Sequence, residues 1–143
     1  MRARPPETDA ETSLRLSRIP QSNTGPELIV RQLLHALGHR FRLKNRDLPG
    51  SPDIANRARR WAVFVHGCFW HAHEGCSRSS VPKRNRAFWK QKFAENRARD
   101  QRAEEELLGA GWAVVTIWEC ELYSLAGVSE VTHRLDAIVG DAR

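Results

Sequence analysis

The stretch WAVFVHGCFWHAHEGC occupies residues 61–76, and the rest of the chain is organised around it. Its first five residues, Trp61 to Val65, are apolar, which predicts a central strand covered on both faces. The following residues hold three of the six histidines and two of the three cysteines. Side chains that bind metals are concentrated here, so we expect a functional loop after the strand. Cys120 lies far along the chain and must be brought to this loop by folding.

The composition describes a basic globular protein. The 143 residues are 41% hydrophobic, which is enough for one domain with a real core. The net charge of +6 suits a polyanion, either nucleic acid or an acidic membrane, although a solvated basic face is the alternative. No apolar run is long enough to span a bilayer, and no signal peptide is visible. We therefore expect a cytoplasmic protein whose three cysteines are thiols or metal ligands.

The chain divides into an arm and a single domain. Residues 1–21 carry arginines and few large apolar groups, which predicts a flexible basic arm, either a plain tail or a segment that follows a phosphate backbone. Residues 22–143 form the domain. Its first helix has Thr24 as N-cap and Glu27 in a capping box, and Gly38 suits its end. The fold class is α/β, a small mixed sheet flanked by helices. We predict strands at 41–43, 53–55, 61–65 and 112–118, and further helices at 87–108 and 129–139.

A structural zinc site is the first chemical candidate. Zinc takes four tetrahedral ligands from Cys and His, and Cys68, His73, Cys76 and Cys120 supply such a set. The spacing is not that of a zinc finger, so three reduced cysteines with ordinary packing roles remain the alternative. With zinc bound, the ion would join the loop after the central strand to the end of the 112–118 strand.

A hydrolytic centre is the second candidate. If the strands at 53–55 and 61–65 form a hairpin, Asp53 lies beside the end of the central strand. A carboxylate together with a nearby backbone carbonyl suits Mg²⁺, which polarises phosphodiesters. His71 or His66 can accept a proton from an attacking water, because imidazole titrates near neutral pH. The alternative is that Asp53 is a turn or cap residue.

A set of exposed aromatic side chains is the third candidate. Phe69 and Trp70 fall between the proposed zinc ligands, and Trp89 begins a basic helix. Aromatic residues of this kind usually belong to a core. In a DNA-binding protein, apolar side chains can instead wedge between base steps, which is easiest at a mismatch.

Several motifs closely resemble those of the very-short-patch repair (Vsr) DNA mismatch endonucleases. The resemblance extends from about Leu16 to Cys120 and beyond, and the HGCFWH block followed by WEC is highly specific to that family. The matching segments are residues 48–53 (LPGSPD), 63–76 (VFVHGCFWHAHEGC), 88–89 (FW), 99–100 (RD), 111–112 (GW) and 118–122 (WECEL), with Asn96 between them.

The resemblance implies a restriction-endonuclease-like fold and an activity. The expected activity is Mg²⁺-dependent nicking of one strand on the 5′ side of the thymine in a T·G mismatch. Such mismatches arise when 5-methylcytosine is deaminated. The expected substrate is double-stranded DNA, the chain is expected to be a nucleoid-associated monomer without membrane contacts, and a MutL-type repair protein is a possible partner.

The resemblance also implies roles for individual residues. Asp53 and the main-chain carbonyl of Val65 would hold the catalytic Mg²⁺. His71 would be the general base, with His66 and Glu27 supporting the site. The DNA wedge would consist of Phe69, Trp70 and Trp89, and the structural Zn²⁺ would be held by Cys68, His73, Cys76 and Cys120.

Two features depart from related patterns. The acidic-x-Lys motif of the wider endonuclease superfamily is absent from the central strand, as it is throughout this subfamily. Val65 replaces a threonine found in some relatives, a change that a main-chain ligand tolerates. Two other functions stay open: a zinc-stabilised DNA-binding module that no longer cuts, and a basic protein that docks on a partner through its aromatic loop.

Overall fold

The computed structural model describes residues 25–68, residue 76 and residues 83–141, with side chains described through residue 138. The predicted order of helices and strands is confirmed there, with one short 3-10 helix added. The elements are α1 (Gly25–Ala36), β1 (Arg42–Leu43), β2 (Ile54–Asn56), β3 (Trp61–His66), α2 (Arg86–Gly109), β4 (Ala113–Trp118), the 3-10 helix (Glu119–Leu122) and α3 (Leu125–Asp141). The predicted arm at residues 1–21 lies outside the described residues.

The four strands form one mixed sheet in the order β1-β2-β3-β4. The first two neighbouring pairs are antiparallel, and β3 runs parallel to β4 from Trp61↔Ala113 to His66↔Trp118. Parallel neighbours need a crossover connection, and α2 lies in that connection. Residues Trp61 to Phe64 are all buried. The prediction that this strand is central and covered on both faces is therefore confirmed.

Two apolar clusters show how the helices are layered. The larger cluster joins Val30 of α1 and Leu135 of α3 to Val63 of β3. The smaller cluster joins Leu107 of α2 to Phe64 of β3. Because Val63 and Phe64 point to opposite faces of the sheet, α1 and α3 cover one face and α2 covers the other. Each fully buried Leu, Val or Phe contributes about 1.5–3 kcal/mol to this three-layer arrangement.

Helix α1 ends as its sequence predicts. Gly38 has a φ of +83°, in the left-handed region that favours glycine. The N–H of His39 donates to the carbonyl of Leu34 (3.0 Å), and that of Gly38 donates to His35 (2.9 Å). These two bonds form a Schellman cap, which satisfies carbonyls that the helix leaves unpaired. The predicted N-cap, Thr24, lies outside the described residues.

Helix α3 starts four residues earlier than the apolar pattern predicts, because it begins at Leu125 rather than at residue 129. Ser124 explains the early start because its side-chain oxygen accepts the N–H of Gly127 at 3.0 Å. This is the bond that an N-cap serine makes with the first turn of a helix. The exposed first turn has little apolar periodicity, so its helical state depends on the cap.

The turn that leads to β2 is held by a buried amide. Asn45 is 2% exposed, and its side-chain N–H₂ donates to the carbonyls of Arg42 (2.9 Å) and Pro52 (3.2 Å). The carbonyl of Pro52 belongs to the peptide group that precedes Asp53. Asn45 therefore fixes the backbone from which the Asp53 side chain projects.

Gly50 allows the same turn to approach the body of the domain. Its φ is +72°, and a Cβ placed on it would lie 2.5 Å from Cβ of Ala103 in α2 and 3.1 Å from the ring of Phe64. Carbon atoms cannot approach to 2.5 Å without displacement of one of the two segments. The turn can thus pack against α2 and β3 only with glycine at this position.

We expect Gly50→Ala to destabilise the domain by about 2–4 kcal/mol, because overpacking and a left-handed alanine add together. Chemical denaturation measures this difference. The control is Gly109→Ala, since a Cβ at Gly109 has nothing within 4 Å and the residue closes α2. That variant should be neutral or more stable by up to about 1 kcal/mol. Equal stability of the two variants would contradict the close approach described for Gly50.

No helix in the described residues is long and apolar enough to cross a lipid bilayer.

Candidate active site and metal centre

Two carboxyl groups meet where the β2–β3 hairpin opens. Asp53 directly precedes β2, and its Oδ2 accepts the N–H of Val65 at 2.7 Å. Glu27 of α1 is 5% exposed and hydrogen-bonds to the Asp53 side chain. The hairpin expected from the sequence is confirmed, and it brings Asp53 to the end of β3. The proximity of Glu27 depends on α1 packing over the sheet.

Burial raises the pKa of Asp53 to about 8. The hydrogen bond to Glu27 and the charge of Glu27 raise this pKa as well, while the N–H of Val65 lowers it. Arg31 pairs with Glu27 at 2.7 Å, one helical turn further along α1. This ion pair places a guanidinium beside the two carboxyl groups.

The donor set at this position fits a divalent cation. Carboxylate and carbonyl oxygens are the ligands that Mg²⁺ prefers. Two carboxyl groups that face each other in a buried position repel when both are ionised, and a cation relieves that repulsion. Asp53 and the main-chain oxygen of its neighbour Val65 therefore suit such an ion, and Glu27 lies beside Asp53.

The three thiols of the chain form a second cluster. The sulfur atoms of Cys68, Cys76 and Cys120 lie within 4.8 Å of one another. Cys68 follows β3 and is buried, while Cys120 is in the 3-10 helix after β4 and is half-buried. The sequence-based expectation that folding brings Cys120 to the other two is confirmed. The cluster lies where the two parallel strands, β3 and β4, end.

The thiol cluster has the chemistry of a soft-metal site. Burial raises the pKa of Cys68 to about 12, and burial also raises the pKa of Cys120. Contacts among three protonated thiols stabilise the fold little, because the S–H group is a weak hydrogen-bond donor. A cation such as Zn²⁺ can bind all three as thiolates. Within the described residues, the cluster supplies three of the four ligands that a tetrahedral zinc site needs.

His66 occupies the last position of β3. The residue is buried, and its ring packs edge-on against Trp118 of β4 with centroids 5.1 Å apart. A second ring contact is made with Phe64, at 5.7 Å. His66 therefore follows Val65 at the end of β3 and comes two residues before Cys68, with its ring on the same face of the sheet as Phe64.

Trp89 is buried, whereas the wedge hypothesis drawn from the sequence needs an exposed ring. It is 6% exposed, and its ring contacts Phe88 (5.2 Å) and Phe93 (6.0 Å). The expectation of an exposed ring is wrong for the free protein, because α2 turns this residue toward the body of the domain. The spacing of the few apolar residues in this highly charged helix did not show which of its faces packs against the rest of the domain.

Comparisons with known proteins identify the family. A family model described as DNA mismatch endonuclease Vsr matches residues 7–78. Type II nicking enzyme V.XorIIP of Xanthomonas oryzae is 49% identical over 113 residues, covering 79% of this chain and 82% of the relative. The DNA mismatch endonuclease Vsr of Escherichia coli is 35% identical over 129 residues, covering 89% of this chain and 82% of the relative. The chain belongs to the Vsr DNA mismatch endonuclease family.

A further relative extends the match over almost the whole sequence. Type II nicking enzyme V.NmeAIP of Neisseria meningitidis is 37% identical over 135 residues, which is 94% of this chain and 96% of the relative. The Vsr family resemblance seen in the sequence motifs is therefore confirmed.

Four residues that the Vsr resemblance assigns to the site lie outside the described residues. They are Phe69, Trp70, His71 and His73, so their expected roles stay predictions. Asp53, Glu27, Val65 and His66 are together at one end of the sheet.

Sequence reasoning missed three residues that support this Vsr-family site. Arg31 pairs with Glu27, and its spacing of four residues on α1 was a readable signal. Asn45 holds the Pro52 carbonyl, and no local pattern distinguished it from an ordinary turn residue. Glu119 contacts the backbone of Cys68 across 51 residues of sequence, which only the tertiary structure reveals.

Proposed function

We propose that this protein is a mismatch endonuclease that nicks one strand of double-stranded DNA on the 5′ side of the thymine in a T·G mismatch. Membership of the Vsr family supports the reaction class. The observation that carries the proposal is the buried Asp53 carboxyl, held against Val65 and Glu27 at the open end of the hairpin. A carboxyl group in this setting is costly for the fold and suited to a cation.

The carboxyl pair would hold the catalytic metal. Asp53 and the main-chain carbonyl of Val65 are the proposed ligands of Mg²⁺, and Glu27 supports the site from α1. Mg²⁺ bound there would polarise the phosphodiester and stabilise the leaving oxygen. His71 is the proposed general base, which accepts a proton from the attacking water. His66 supports the site from the end of β3, where Trp118 fixes its ring.

The thiol cluster would hold a structural Zn²⁺. Cys68, Cys76 and Cys120 supply three ligands, and His73 is the proposed fourth. The separation of their sulfur atoms, all within 4.8 Å, supports a shared ion. The role of this metal is to fix the loop that carries His71 relative to the end of β4, so that the general base and the carboxyl pair keep a constant geometry.

The aromatic residues Phe69, Trp70 and Trp89 form the proposed wedge that enters the stacked bases. Trp89 is buried in the free protein. Its part in the wedge therefore requires either that DNA binding expose its ring or that it support the rings of Phe69 and Trp70 from beneath. The basic arm at residues 1–21 would contact the backbone. The restriction-endonuclease-like fold, the monomeric state and recruitment of a MutL-type protein belong to the same proposal.

A nicking assay tests the function. Labelled duplexes that contain one T·G pair within randomised flanks are incubated with the zinc-loaded protein and Mg²⁺, and the cut positions are sequenced. We expect a single nick on the 5′ side of the mismatched thymine and none in matched C·G duplexes. Tight binding without cleavage would instead indicate a DNA-binding module, and the absence of both would contradict the proposal.

A further inference from the structure

The backbone pairing between β3 and β4 stops one step before the thiol cluster. The last register pair is His66↔Trp118, after which β4 turns into the 3-10 helix Glu119–Leu122. A strand that bends into a helix no longer offers carbonyl groups to its neighbour. The N–H of Cys68, which lies beyond the last pair, therefore needs a different acceptor if the exit of β3 is to stay ordered.

The side chain of Glu119 provides that acceptor. Its Oε1 accepts the N–H of Cys68 at 3.0 Å, and its Oε2 accepts the O–H of Tyr123 at 3.0 Å. One carboxylate thus bridges the turn after β3 and the segment after the 3-10 helix. Bonds from an N–H to an ionised carboxylate are among the stronger hydrogen bonds in proteins.

The charge of Glu119 does not explain its position. Glu121, two residues further along, pairs with Arg134 of α3, whereas Glu119 has no lysine or arginine partner among the described residues. A carboxylate at this place is thus useful as a hydrogen-bond acceptor rather than as an anion.

We propose that Glu119 is a positioning residue that acts through the backbone of Cys68. It continues the connection between β3 and β4 past the end of the ladder and orients the Cys68 sulfur toward Cys76 and Cys120. The same contact sets the direction in which the chain leaves β3 for His71. This last consequence rests on the proposed function, while the effect on the thiol cluster does not.

The test compares Glu119→Ala with Glu119→Gln. A glutamine oxygen can accept the Cys68 N–H and its N–H₂ can donate to Tyr123, so it keeps both contacts without the charge. We expect Glu119→Ala to weaken zinc binding about 10- to 100-fold, as measured by competition with a chromogenic chelator. Hydrogen exchange of the Cys68 amide should accelerate in the same variant, and kcat for nicking should fall about tenfold or more. Glu119→Gln keeps an acceptor for the Cys68 N–H, although the bond to a neutral amide is weaker, so it should stay within about threefold of the wild type in all three measurements.

Tyr123→Phe is the matched control, because it removes the hydroxyl that donates to Glu119 and leaves the contact between Glu119 and Cys68 in place. It should leave zinc affinity and Cys68 exchange close to the wild type. Equal losses in the Ala and Gln variants would overturn the proposal by showing that the charge is needed, and wild-type behaviour of both would overturn it by showing that the contact is dispensable. If the wild type itself fails to nick T·G duplexes, the proposed function fails, while zinc affinity and amide exchange still decide the role of Glu119.

Discussion

Asp53→Asn is expected to lower the rate of nicking by about a thousandfold or more while leaving the protein folded. The amide oxygen can still accept the N–H of Val65, and its N–H₂ can donate to Glu27, so the local structure is preserved. A neutral amide is a far weaker ligand for a hard divalent cation than a carboxylate. The measurement is single-turnover nicking of a T·G duplex at saturating Mg²⁺, with circular dichroism to confirm the fold.

The same substitution, which lowers activity, should raise the stability of the folded protein at high pH. The pKa of Asp53 is raised to about 8 in the folded protein, from an ordinary value of 3.8. The favourable contribution of its protonated form is complete below about pH 4 and is lost as the pH rises through about 8. In Mg²⁺-free, zinc-loaded protein, the stability of the Asn variant relative to the wild type should therefore increase as the pH rises from 5 to 8.5. We expect an advantage of a few °C in Tm at the upper end.

Asp47→Asn is the control for this experiment. Asp47 makes an exposed, bidentate ion pair with Arg57, and its pKa is lowered by that hydrogen bond rather than raised. Its loss should leave nicking unchanged and should not reproduce the gain in stability at high pH. Full activity of the Asp53→Asn protein would contradict the assignment of Asp53 as a metal ligand.

Cys120→Ser is expected to have the largest effect on stability. Removing one ligand of a structural zinc site weakens metal binding severely, and the free energy of such binding, about 10–16 kcal/mol in small zinc domains, is part of the folding free energy. We expect the zinc content to fall from about one ion per chain toward zero and the Tm to fall by more than about 15 °C. Atomic absorption spectroscopy and differential scanning calorimetry measure the two quantities.

Leu125→Ser provides the comparison in the same region of the chain. Leu125 begins α3, a few residues after Cys120, and is 91% exposed, so its replacement by serine removes almost no buried surface. That variant should keep the wild-type zinc content and a Tm within a few degrees. A metal-free wild type with an unchanged Tm in the Cys120→Ser protein would rule out a structural role for the metal.

The sheet could be predicted from the sequence because its central strand is an unbroken run of apolar residues. Trp61 to Phe64 are all buried, and the predicted strands at both sides of β3 were found within one or two residues. The first residue of a helix was harder to predict where a capping side chain determines it. The start of α3 depends on the hydroxyl of Ser124, whose bond to Gly127 is local and carries no periodic signal.

The candidate site was predictable where chemistry demands particular residue types. Three cysteines in one chain predicted a cluster, and their sulfur atoms are indeed together. The role of Glu27 shows the limit of local reasoning, since its place in a capping pattern already accounted for it. The family resemblance assigned Glu27 to the site, and packing of α1 over the sheet shows how its carboxyl group, paired with Arg31, comes to face Asp53. The burial of Trp89 was likewise a tertiary property.

The long sequence separation within the metal centre bears on how the protein matures in the cell. The contact between Cys68 and Glu119 spans 51 residues, and Cys120 comes one position later. A polypeptide still emerging from the ribosome has synthesised its hairpin carboxylate well before this last thiol. The three thiols therefore cannot come together until β4 has been synthesised and has paired with β3. Any metal that needs all three sulfur atoms can bind only after this last strand is in place.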